Sequence, residues 1–239
     1  MTLAELLRPL LLLALAAGAA LLLSVATGSV SLAPDQVLAV FGGGGSELQR
    51  TLILELRLPR TLSAFATGGL LAVAGALMQV LLRNPLADPY VLGLSGGAAF
   101  AALLAMLSGL AGWLVSGSAF AGALLSTLLV FGLAHGSGSW TPARLLLTGV
   151  VMASGWGALI TLVLAVAPAR QLPGMLYWLM GDLSQSASPG PALALLVGVC
   201  VLLMPLGRTL NVLARGPLQA AVLGVSVRPL EWLVYLVAS

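Results

Sequence analysis

From Tyr90 to Ala134 the chain reads YVLGLSGGAAFAALLAMLSGLAGWLVSGSAFAGALLSTLLVFGLA, 45 residues without one charged side chain. As a single helix it would extend about 67 Å, over twice the hydrocarbon thickness of a bilayer. Two membrane spans fit better, with a turn near Gly112 to Ser118. The rest of the sequence agrees that the solvent is lipid. Of 239 residues 60% are hydrophobic and 7% charged, with 10 basic and 7 acidic side chains. A soluble domain of this length would carry about 60 charged residues. A cytosolic enzyme, a disordered tail and a secreted disulfide scaffold are excluded together.

Outward from that stretch, the other spans follow from apolar runs of roughly 20 residues. The first runs from Pro9 to about Val30; its length and the spans after it weigh against a cleaved signal peptide. Ser31 to Arg60, with Asp35, Glu47, Arg50, Glu55, Arg57 and Arg60, reads as a polar loop. A second span, Thr61 to Leu82, stops at Arg83-Asn84-Pro85, and Pro89 makes the break firm. A fifth span covers Arg144 to Ala167 and a sixth Pro191 to Leu206. Between these two, Tyr177 and Trp178 look like interfacial anchors on a short helix. The final run, Leu230 to Ala238, reaches about 14 Å, half a bilayer. The expected fold is an all-α polytopic bundle of six complete spans and the start of a seventh. Residues 1–239 form one transmembrane domain, truncated at its C-terminal side.

Alternating the loops puts Arg8, Arg83, Arg144, Arg208, Arg215 and Arg228 on one side, against Glu5, Asp88 and Glu231. The other side holds Arg50, Arg57, Arg60 and Arg170, against Asp35, Glu47, Glu55 and Asp182. The positive-inside rule then places the N-terminus in the cytoplasm.

The chemistry is constrained by what is missing. All ten basic residues are arginine, so a P-loop lysine cannot be supplied and the Gly42–Gly45 run reads as a flexible loop. Cys200 and His135 are each the sole residue of their kind. They form neither a metal site nor a nucleophile–base pair, so no catalytic, cofactor or metal residues are assigned. Charge spread along the chain excludes nucleic acid as a partner. No span carries an ionisable residue at its middle, which counts against an ion-coupled carrier. An intramembrane enzyme would need a partner for Ser126 or Ser154, and none is visible. Gly68, Ala72 and Ala76 make a small-xxx-small face that suits helix packing.

Two stretches read as contact surfaces. Arg57-Leu58-Pro59-Arg60 either anchors a span by snorkelling or docks a partner. Leu210 to Val225 reads as two short helices broken at Gly216-Pro217, with Leu210, Leu213, Leu218, Val222 and Leu223 available to pack. It is either a plain loop or a segment that docks in a groove on a soluble partner.

Arg57-Leu-Pro-Arg-Thr61, Gly75-Ala-Leu-Met-Gln79, Arg83-Asn-Pro-Leu-Ala-Asp-Pro89 and Leu92-Gly-Leu-Ser-Gly96 occur in series. With Arg144-Leu-Leu-Leu-Thr-Gly149 and Tyr177-Trp-Leu-Met-Gly181, the series resembles the FecCD/BtuC-like permease family of ABC importers. These importers carry iron–siderophore, haem or vitamin B12 across the bacterial inner membrane. The resemblance runs from about residue 9 to the end and implies a permease without an ATP site of its own. ABC ATPase subunits, a periplasmic substrate-binding protein and a second permease subunit, a copy or a homologue, are the implied partners. Iron–siderophore is the expected cargo, cobalamin or haem the alternatives.

By position, Arg57, and with less weight Arg60, would meet carboxylates of the binding protein, since the arginine fork holds a carboxylate with two bonds. Residues 208–228 would be the cytoplasmic coupling segment, with Leu210, Asn211, Leu213, Leu218, Leu223 and Gly224 toward the ATPase. Thr141, Pro142 and Ala143 fall at the cytoplasmic gate loop. Tyr177, Trp178 and Met180 line the pathway or anchor a helix. Two departures stand out. Gly216-Pro217 replaces the family's Gly-Glu, and the family has about ten spans, roughly three helices more than this chain.

Overall fold

The computed structural model describes residues 3–28, 30–135, 141–183 and 188–239, and all regular structure among them is helical. The helices are α1 (Leu3–Ala26), α2 (Pro34–Phe41), α3 (Glu47–Arg50), α4 (Leu58–Leu82), α5 (Leu94–Leu107) and α6 (Trp113–His135). They continue as α7 (Pro142–Val166), α8 (Leu172–Met180), α9 (Gly190–Leu203), α10 (Gly207–Ala214), α11 (Pro217–Val222) and α12 (Val227–Ala238). Five uninterrupted helical stretches are long and apolar enough to cross a membrane: Leu7–Ala26, Glu47–Leu82, Trp113–Ala134, Ala143–Val166 and Gly190–Ala214. Their outward leucines confirm the reading of lipid as solvent; Leu10 to Leu13 and Leu15 are each at least 60% exposed. The third expected span is the short one, since α5 has 14 residues.

The stretch Ser31 to Arg60 corrects the loop expectation. Ser46 opens a helix through a reciprocal capping pair: its hydroxyl accepts from Gln49 N–H at 3.3 Å and its own N–H donates to Gln49 Oε1 at 2.9 Å. From Glu47 the chain is helical through Leu82, passing through a π-helical stretch at Thr51–Arg57. Charged residues at helix ends resemble a loop in composition, and the Ser-x-x-Gln spacing was the overlooked signal. The turn between α5 and α6 also lies earlier than expected, at residues 108–112. Gly109 and Gly112 adopt φ of +80° and +59° there, which stops the helix, while Ser116 and Gly117 continue inside α6.

The chain divides into two compact units. One holds everything up to Leu70 together with Leu183–Gly198. Its core is Val25, Val37, Val40 and Ile53, the last wholly buried. The other holds Leu71–Asp182 and Val199–Ser239. Its largest core joins Leu81, Leu82, Leu92, Phe131, Leu145, Leu213, Val234 and Tyr235, among others. Within it, α5 and α6 approach so closely that a Cβ on Gly122 would lie 2.3 Å from the Gly97 carbonyl oxygen. The tight packing therefore falls on Gly97 and Gly122, and the Gly68, Ala72 and Ala76 face of α4 is exposed.

Candidate functional site

In the first unit the sequence-selected arginines have separate occupations. The C-terminal carbonyls of α1 lack helical partners and form the negative end of the helix dipole. Arg57, at the end of the π-helical stretch, donates Nη1 to the carbonyls of Val25 (2.9 Å) and Ala26 (3.1 Å), and Nη2 to that of Val30. Gly28 gives the guanidinium room: a Cβ there would come within 2.8 Å of Nη2. One turn along α4, the hydroxyls of Ser24 and Thr61 meet at 2.9 Å. Arg57 thus ties the end of α1 to the start of α4. Arg60 is exposed and makes no ion pair among the described residues.

In the second unit the Leu210–Val225 segment folds as two short helices, α10 and α11, broken at Gly216. That glycine adopts φ +126°, and Pro217 opens α11 at a first-turn position where its missing N–H costs nothing. Gly224 ends α11 at φ +79°, with Val225 N–H returning to the Ala220 carbonyl at 2.9 Å. The residues expected to face a partner separate into two sets. Leu213 is 2% exposed and Leu210 half-buried, both against the core, so neither is available for docking. Leu218 and Leu223 are 82% and 69% exposed, with Val222 beside them at 83%. Asn211 and Gly224 are exposed as well. On α11, Ala220 is the buried side, which leaves Leu218, Val222 and Leu223 as an uncovered apolar patch.

Thr141 is the N-cap of α7: its hydroxyl accepts from Arg144 N–H at 3.3 Å, and Pro142 follows in the first turn. Ala143 is exposed. Tyr177 (64%) and Met180 (81%) are exposed on α8, while Trp178 is half-buried against Ala102, Ala105 and Val115. An apolar cleft of about 210 Å³ is lined by Leu71, Ala74, Tyr90, Leu94, Ser95 and Ala98, among others. Sites for drug-sized ligands run from about 300 Å³ upward.

Three features escaped sequence reading. Ser126 is a buried junction: its hydroxyl accepts from Trp156 Nε1 and donates to the Gly93 carbonyl, both at 2.9 Å. Tyr235 donates its hydroxyl to the Thr127 carbonyl at 3.1 Å. Arg83 adopts φ +50° at the end of α4, the one left-handed non-glycine residue among those described. Such pairings span 30 to 108 positions, so no local pattern announces them. Ser154 returns its hydroxyl to the Val150 carbonyl.

Comparison with known proteins fits this picture. Residues 12–239 match the FecCD transport family. The vitamin B12 import system permease protein BtuC of Yersinia enterocolitica is 39% identical over 212 residues, covering 87% of this chain and 61% of that protein. The cobalamin import system permease protein BtuC of Halobacterium salinarum is 37% identical, covering 82% and 54%. An uncharacterized ABC transporter permease protein, YvrB of Bacillus subtilis, is 35% identical, covering 92% and 66%. Among solved structures, an inward-facing conformation of a putative metal-chelate type ABC transporter matches with a TM-score of 0.83 and 28% identity, covering 97% of this chain and 72% of that one. The chain spans less than two thirds of the length of these curated relatives.

Proposed function

The chain belongs to the FecCD transport family, and from that premise we propose that it serves as the permease subunit of an ATP-driven importer of a metal chelate. The observation that carries the reading is the uncovered patch of Leu218, Val222 and Leu223 on a helix anchored from its other side by Ala220. Apolar side chains on a short, rigid helix suit insertion into a groove of a soluble partner. A chain without lysine needs a partner to hydrolyse ATP, and an ABC ATPase is the partner that fits. On this reading the patch faces the cytoplasm of a bacterial cell, and the N-terminus lies on the same side.

At the opposite membrane face, Arg60 is the side chain free to meet a carboxylate of a substrate-binding protein. Arg57 holds the turn behind it and reaches the same surface only if it leaves the α1 carbonyls. On the family reading the translocation path is completed at an interface with a second permease subunit. Thr141 to Ala143, at the start of α7, belong to the gate, and Trp178 anchors α8 while Tyr177 and Met180 remain outward.

Relatives named for vitamin B12 and cobalamin favour a cobalamin cargo over the iron–siderophore expected as the family's commonest role. Uptake of radiolabelled cyanocobalamin and of a ferric siderophore, each into cells lacking their own permease, separates the two. The coupling reading is tested by affinity capture from detergent-solubilised membranes. The wild-type chain should bring down a P-loop ATPase. Leu218→Glu with Leu223→Glu should lose it while eluting as a single sharp peak in size exclusion. Retention of the ATPase by that double variant would overturn the assignment.

A further inference from the structure

Four of the described helices end with the same backbone device, an N–H that reaches back five residues across a left-handed position. Gly44 bonds Ala39 at 2.8 Å, Leu110 bonds Ala105 at 3.0 Å and Val225 bonds Ala220 at 2.9 Å. The left-handed residues there are Gly43, Gly109 and Gly224, with φ of +85°, +80° and +79°. At the end of α4, Asn84 N–H bonds the Gln79 carbonyl at 3.2 Å, and the left-handed residue is Arg83. A side chain at this position is strained where glycine is not, and strain of this kind persists only where the surroundings hold it.

What the side chain reaches supplies the reason. Arg83 Nη1 lies 3.9 Å from where a Cβ on Gly216 would stand, so the guanidinium stands beside the turn between α10 and α11. It also lies within electrostatic reach of Glu231 on α12, as does Arg228. Beneath it, Leu81 and Leu82 of α4 share one core with Leu213, Ala220 and Leu230. The end of α4, the α10–α11 turn and the start of α12 therefore converge on one exposed arginine.

We propose that Arg83 is a positioning residue that pins the Gly216–Pro217 turn to the end of α4, so that a displacement of α11 moves the packed helices and is not absorbed by the turn. The inference rests on the ATPase-facing reading of α11. Its consequence is specific: without the guanidinium the ATPase still docks on Leu218, Val222 and Leu223, but hydrolysis is poorly converted into transport.

Arg83→Gly is the informative variant, because glycine suits the left-handed backbone and the helix end is kept. Hydrogen exchange on the full chain in detergent should show amides of residues 215–224 exchanging about tenfold faster in Arg83→Gly, with α6 and α7 unchanged. Arg83→Lys, which keeps the charge and loses the planar fork, should fall between. In proteoliposomes holding the complex with its ATPase and binding protein, Arg83→Gly should retain ATP hydrolysis and lose most cyanocobalamin or ferric siderophore uptake per ATP. Unchanged exchange at residues 215–224, or unchanged uptake per ATP, would overturn the proposal. Faster exchange in a chain whose wild type captures no ATPase would overturn the ATPase-facing reading and uphold the anchoring alone.

Discussion

Arg57 shows how one side chain decides the end of a helix thirty residues away. Its guanidinium occupies three carbonyls at the C-terminus of α1 and just beyond, where a cation is favoured by geometry and by the dipole. Hydrogen bonds from a charged donor to a half-buried acceptor contribute more than neutral ones, so Arg57→Ala should lower stability by about 2 kcal/mol, a few degrees in apparent melting temperature. Gly28→Ala acts on the same contact from the other side, because the new methyl would stand 2.8 Å from Nη2 and displace it. The two changes should therefore be non-additive: the double variant should melt close to Arg57→Ala alone. A thermal melt in detergent showing simple addition would mean that the carbonyl clamp does not form. The motif made both arginines legible as special. It could not divide them, because what separates Arg57 from Arg60 is the Val25–Val30 backbone brought to one of them by folding.

At the scale of elements, composition located the apolar helices well and their ends poorly. The α5–α6 turn was misplaced because a run of glycine and serine looks uniform, whereas only Gly109 and Gly112 take the left-handed backbone that ends a helix. The close-packing face was misassigned for a related reason. Small residues at four-residue spacing on α4 permit close approach, but what calls for it is a facing helix, and that occurs at Gly97 and Gly122. A methyl at Gly122 would meet Gly97 backbone at 2.3 Å and the Ala101 Cβ at 2.5 Å, neither of which is the end of a flexible side chain. Gly122→Ala should therefore force α5 and α6 apart, at a cost of about 3 kcal/mol or more, and reduce the yield of monodisperse protein sharply. Gly68→Ala, where nothing lies within 4 Å of the added carbon, should leave the yield unchanged or raise it slightly. Fluorescence-detected size exclusion reads both, and equal profiles for the two variants would contradict the packing described. The 208–228 segment divides by the same logic: Leu213 and Leu218 look alike in sequence, and only folding buries the first and leaves the second exposed.

For the whole molecule, the side on which each later loop lies turns on α5 crossing the membrane. Its 14 residues give about 21 Å of α-helix. The four-residue 3₁₀ turn before it, Pro89–Leu92, adds roughly 8 Å. Gly93 between them is left-handed (φ +73°) and turns the chain, so about 29 Å is the upper limit of their combined reach, just enough for the hydrocarbon thickness. A crossing restores the alternation on which the arginine balance depends, with the Arg83 and Arg144 loops on one side and the residue 108–112 turn on the other. At the junction of the 3₁₀ turn and α5 the buried Gly93 carbonyl accepts both the Gly97 N–H (3.4 Å) and the Ser126 hydroxyl (2.9 Å), so the break leaves no bare acceptor. Three exposed positions test this within one unit of the chain. In a Cys200→Ser background, Leu86→Cys, Ser108→Cys and Thr141→Cys are each challenged with a membrane-impermeant thiol reagent from one side and then after permeabilisation. If α5 spans, Ser108→Cys reacts from outside, and Leu86→Cys and Thr141→Cys react only once the membrane is opened. Labelling of Leu86→Cys and Ser108→Cys from the same side would make α5 a re-entrant segment and would reverse the side assigned to every loop after it.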